Sequence, residues 1–148
     1  MKKQKEYRGY VFSRAIGGHR VPQHIQNLVI RTHAQKYNLH YLLSGVEHRM
    51  NSSYLTLNQL VDESKDIDGI IIYSMFMLPR HKETRYRILS TLIDNGKEIH
   101  AAVEDLILKD SSDCRRLDNI FLVDNVVESK EHEEIRYGIT KFYARNPQ

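Results

Sequence analysis

The 148-residue chain contains no tryptophan, a single cysteine and only three prolines. With Cys114 alone, an intramolecular disulfide is excluded, and a zinc site would have to be completed by histidine or carboxylate. Long apolar runs are also missing. The longest, Gly69-Ile70-Ile71-Ile72-Tyr73, is far too short to span a bilayer, so no membrane partner is expected. The basic opening MKKQKEYRG is not followed by an apolar segment and does not read as a signal peptide, which makes the cytoplasm the expected location. Nor is there a large excess of one charge. The formal net charge of +3 permits an anionic partner, a small phosphorylated ligand included, without demanding nucleic acid.

What is present is an ordinary globular composition, 41% hydrophobic and 28% charged, at a length that suits one domain with its own core. After a flexible leader (1–6), YRGYVFS (Tyr7 to Ser13) has the aromatic and β-branched content of a first strand. A glycine-bearing loop leads to Pro22, which suits a helix start because its missing N–H would have had no partner there. From Gln23 to Tyr37, Ile25, Leu28, Val29 and Ala34 form a partial helical stripe. Leu39 to Val46 is a second strand, and Ser52 or Ser53 is placed to cap a helix bearing Leu57, Leu60 and Val61. Gly69 to Ser74, with three consecutive isoleucines, fits the buried centre of a parallel sheet. His81 to Ile93 reads as helix, stopped by Asp94-Asn95-Gly96, and Lys97 to Val103 as a fourth strand. Ile120 to Val123 is either a fifth strand or part of a helix starting near Cys114, and 130–143 is expected to form a terminal helix. The alternation predicts one α/β domain over 1–148: an open, mostly parallel sheet of four or five strands flanked by helices, with a mainly helical extension over 115–148.

Such sheets bind ligands beyond the carboxyl ends of their strands. That rule gathers the loop after Ser13, the loop around Arg49, the loop ending in Arg80, and Glu104-Asp105. Gly17 and Gly18 permit close backbone approach or positive φ, or simply a tight turn. A helix amino end near Pro22 favours an anion, to which Arg14, Arg20, Arg49 and Arg80 would add bidentate contacts. Ser13 is a candidate nucleophile or hydrogen-bond donor, and His19 with Glu104 a candidate proton-transfer pair. No G-x-G-x-x-G, Walker or G-x-S-x-G signature accompanies them, and nothing at metal-ligand spacing joins His19, His24, His48 and Glu104. No metal or other cofactor is therefore expected. Met75, Phe76, Met77 and Leu78 read as core or subunit-interface residues, and a homo-oligomer, a dimer first, is expected.

Two family resemblances rest on these residues. The run YRGYVFSRAIGGHRVPQHIQNLVIR, with IIIYSMFMLPR further on, is similar to proteins of the sporadic carbohydrate cluster family, encoded among bacterial surface-polysaccharide genes. That resemblance implies a small enzyme acting on a phosphorylated or nucleotide-linked sugar. Its alternative is a noncatalytic sugar-ligand or assembly protein of the same pathway. More distantly, residues 7–105 resemble the catalytic domain of serine recombinases. Ser13 matches that family's nucleophile, Tyr10 lies nearby, and Arg49 and Arg80 match two of its arginines. The positions of its aspartate and first arginine hold Phe76 and Met77, which cannot stabilise a developing phosphorane. The sequence therefore argues against nucleic acid as partner, with a degenerate recombinase-like nucleic-acid binder as the second alternative.

Overall fold

A computed structural model of the chain describes residues 3–50 and 52–127. It divides into two compact units, Met1–Cys114 and Arg115–Gln148. The first is built on strands β1 (Glu6–Phe12), β2 (His40–Glu47), β3 (Gly69–Ile72), β4 (Glu98–Ala101) and β5 (Leu106–Leu108). Helices α1 (Gln23–Lys36), α2 (Leu55–Asp62) and α3 (Lys82–Asp94) connect the first four strands, with 3-10 turns at Ser64–Asp66 and Met75–Met77.

The strand order is β2-β1-β3-β4-β5, parallel except for β5, which runs antiparallel to β4. The chain steps outward from β1 to β2, then returns across β1 to β3 and β4. Right-handed crossovers therefore put α1 on one face of the sheet and α2 and α3 on the other. On the α1 face, Ile30 and Ala34 pack against Tyr7, Val11 and Ile71. Ile70 and Ile72, which alternate with Ile71, point to the opposite face, where α2 lies on β2 and α3 on β4. All four residues of β3 are buried, as the isoleucine run predicts for a central strand.

Several local readings change. The inner stripe of α1 is Gln26, Ile30, His33 and Ala34, whereas Ile25 and Leu28 are exposed. Neither Ser52 nor Ser53 caps α2. The Glu47 carboxylate does so from the end of β2, accepting the N–H groups of Thr56 and Leu57 at 3.2 and 3.1 Å. The fifth strand is Leu106–Leu108, and residues 111–127 form a helix (α4). Asp110 and Asp113 fix its start reciprocally: Asp113 N–H donates to Asp110 Oδ1, and the Lys109 N–H to Asp113 Oδ2. The helix expected at 130–143 lies outside the described residues. The Met75-to-Leu78 segment supplies core, since Met75, Met77 and Leu78 are buried. Among the described residues, no helix is long and apolar enough to cross a membrane.

Candidate functional site

The direction of the chain reverses at β1, so the crevice beyond the carboxyl end of this strand is where the topology opens a binding site. A cleft of about 270 Å³ lies there, lined by Phe12, Ser13, Arg20, Val21, Pro22, Gln23 and Arg49. Gln26, fully buried on α1, binds two of the lining residues together. Its Oε1 accepts the Phe12 N–H at 2.9 Å, while its Nε2 donates to the carbonyls of Phe12 and Val21. One amide thus ties the last residue of β1 to the segment that enters α1.

Behind the cleft sits a buried carboxylate. Glu47 accepts the Tyr10 hydroxyl at 2.8 Å and the N–H groups of His48, Thr56 and Leu57. Burial works against its charge, but these donors prevail and hold its carboxyl below the usual range. Burial, and then the neighbouring Glu47, push the Tyr10 hydroxyl far above its ordinary pKa. Tyr10 therefore faces inward as a donor to Glu47 and does not line the cleft.

Of the residues expected to form one site, Ser13, Arg20 and Arg49 come together in the cleft. Ser13 Oγ donates to the Glu47 carbonyl at 2.6 Å. Arg14 turns away: its guanidinium stacks on Phe12, 4.2 Å from the ring centre. From there Nη1 donates to the carbonyls of His48, Met50 and Ser53. It holds the Arg49 loop in place and does not line the cleft. Gly17 and Gly18, at φ of 56° and 82°, make the tight turn closed by hydrogen bonds between the Ile16 and His19 backbones. Their positive φ is needed for the turn.

The expected His19–Glu104 proton relay is not built. His19 serves the turn through its backbone, and Glu104 accepts Ser74 Oγ at 2.6 Å and the Met75 N–H at 3.1 Å, pinning the loop after β3. Neither lines the cleft, nor does Arg80. Sequence reasoning missed Gln26 and Glu47, as it did Arg85, a buried guanidinium on α3 that donates to the Pro79 and Arg80 carbonyls. For Gln26, the available signal was its i, i+4 spacing from Ile30 on the inner face of α1.

The architecture matches that of solved structures. A resolvase family site-specific recombinase from Streptococcus pneumoniae superposes with a TM-score of 0.55 over 93% of this chain and 96% of that one, at 13% identity. The chain has a resolvase-like fold. The N-terminal catalytic domain of TP901-1 integrase agrees, with a TM-score of 0.52 over 83% of this chain and 97% of that one, at 16% identity. No protein-family model and no curated protein matches the sequence. The resolvase-like fold corrects the functional expectation. The similar structures are a recombinase and an integrase domain, and nothing in the resolvase-like cleft is specific to sugars, so the sugar-modifying enzyme is set aside. The expectation against nucleic acid falls with it.

Proposed function

We propose that the protein is a nucleic-acid-binding module on the resolvase-like fold, holding a backbone phosphate in the cleft at the end of β1 without cutting the strand. The observation that carries this reading is the lining of the cleft. Arg20, Arg49 and Gln23 line it together with Ser13, with no carboxylate among the lining residues, at the amino end of a helix with no acidic residue in its first turn. The formal charge of +3 is of the right sign. Similarity of fold to a site-specific recombinase and an integrase favours a polynucleotide over a free phosphate. Binding without cleavage follows from the surroundings of the serine. Tyr10 is committed to Glu47, and Phe76 and Met77 stand where the serine-recombinase pattern has an aspartate and an arginine, Met77 fully buried. A narrower kinship, with the sporadic carbohydrate cluster proteins, rests on the Tyr7-to-Arg31 run and the later IIIYSMFMLPR segment and brings no reaction with it.

The test is fluorescence anisotropy with labelled duplex and single-stranded DNA over a range of salt. Wild-type affinity should fall steeply with salt, and Arg20→Ala and Arg49→Ala should each reduce the log–log salt slope by about one. Lys65→Ala, at the opposite end of the sheet, should behave as wild type. Failure to bind at low salt, or binding indifferent to both arginines, would refute the reading.

A further inference from the structure

A second polar assembly runs through the α1 face of the sheet, and its protons do not suffice for its contacts. Four side chains form a line: Glu98 and His100 on β4, His33 on α1, and Asp105 in the turn before β5. Glu98 Oε2 lies 3.0 Å from His100 Nε2, and His100 Nδ1 lies 2.9 Å from His33 Nε2. His33 Nδ1 lies 3.7 Å from Asp105 Oδ1. Glu98 is a carboxylate: burial opposes its charge, but His100, Tyr7, Lys5 and Lys109 hold its pKa down at about 2. Burial keeps both imidazoles neutral, with His33 lowered to about 4 by burial and by His100.

A neutral imidazole carries one N–H. Two protons must therefore serve three contacts. If His100 donates to Glu98 through Nε2, its Nδ1 accepts from His33 Nε2–H, and His33 Nδ1 is left with a lone pair facing the carboxylate of Asp105. The reverse assignment would press two acceptors together at the much shorter Glu98–His100 contact. The unserved contact is therefore the longest one. It opens on a cavity of about 320 Å³ lined by His33, Asp105, Lys36, Thr32, Leu28, Val29 and Ala102.

We propose that this cavity is a ligand site for a neutral, planar heteroaromatic molecule whose ring N–H bridges His33 Nδ1 and Asp105 Oδ1. His33 is only 5% exposed, and the edge it shows, Nδ1, is turned to the cavity beside Asp105, so a donor seated there meets a lone pair already held in place by the Nε2 contact to His100. Lys36 Nζ lies 2.7 Å from Asp105 Oδ2, and the Tyr37 hydroxyl donates to Oδ1 at 2.7 Å. The lysine balances the carboxylate, which favours an uncharged donor over an ammonium group. Leu28, Val29 and Ala102 supply the apolar wall, with Leu28 59% exposed. The volume falls at the lower end of the small-molecule range of about 300–1,000 Å³. Among the described residues, no three His, Cys, Asp or Glu groups are arranged to hold a metal ion. The site shares no residue with the strand-end cleft.

Nitrogen-resolved NMR of the full chain at neutral pH, titrated with indole, 1-methylindole and adenine, tests this. In the free protein, His33 Nδ1 should be unprotonated. Indole or adenine should shift the His33 resonances saturably, and the responding probe identifies the ring class. A responding indole should bind about tenfold tighter than 1-methylindole, which has the same body without the donor. Thr32→Trp, at an exposed position, should fill the cavity and abolish the response while leaving the circular dichroism spectrum unchanged. Asp105→Asn tolerates the left-handed backbone at this position (φ 52°) and brings its own N–H donor, so it should erase any preference for indole over 1-methylindole. The proposal is overturned by a protonated Nδ1 in the free protein. It is equally overturned by equal binding of indole and 1-methylindole, or by no saturable response to either N–H probe at millimolar concentration.

Discussion

Replacing Glu47 with glutamine keeps size and shape but removes the charge on which two elements depend. In the native protein this carboxylate accepts from the Tyr10 hydroxyl, from the N–H groups of Thr56 and Leu57 at the start of α2, and from its neighbour His48. A glutamine amide offers one oxygen and turns its NH2 toward groups that are themselves donors. With the residue 1% exposed, solvent cannot make up the loss. Weakening charge-assisted hydrogen bonds and stranding one or two buried donors costs about 2–4 kcal/mol. For a domain of this size that corresponds to a fall in Tm of roughly 4–16 °C. Urea unfolding of Glu47→Gln against wild type measures it directly. The pH dependence adds a second check. Because the folded carboxyl is held below its unfolded value, its contribution is complete above the unfolded pKa and is lost as pH falls through the folded one. The variant should lose that part of the acid limb. A destabilisation below about 1 kcal/mol would refute the reasoning, since even one stranded buried donor costs about that much.

Two further outcomes are expected. Both buried histidines have pKa values lowered by burial, so their neutral forms favour the fold, and stability should decline as pH falls from about 6.5 toward 4; a flat urea midpoint over that window would contradict it. Gly69→Ala should destabilise by about 1–3 kcal/mol or more, because the added methyl would run into the Tyr7 ring and the Glu98 carbonyl between two paired strands, and wild-type thermal stability would disprove this.

The parallel strands were legible because each is a short apolar run punctuated by glycine or by polar loops. β1 to β4 occur where those runs predict them, with ends displaced by up to two residues. β5 escaped because three residues, Leu-Ile-Leu, give no periodicity, and its identity comes from antiparallel pairing with β4. The α1 face was misread for a more instructive reason. Hydrophobicity pointed to Ile25 and Leu28, but the buried stripe carries Gln26 and His33, whose side chains hydrogen-bond to partners 14 and 67 positions away. In the cleft, Ser13, Arg20 and Arg49 could be gathered by the strand-end rule alone. The rule does not say which way a side chain turns, and Tyr10, Arg14 and Glu104 turn inward to hold the framework.

Arg14 ties the end of β1 to the residues that flank Arg49. Because the guanidinium is held between an aromatic face and the carbonyls of His48, Met50 and Ser53, the contacts that place Arg49 are made within the fold itself rather than with a ligand. The entropic cost of arranging that loop is thus separated from binding, which leaves more of each contact available as affinity. Arg14→Ala should accordingly weaken binding without Arg14 ever touching the ligand, and the loss should be recoverable by any cross-link that holds the same two segments together.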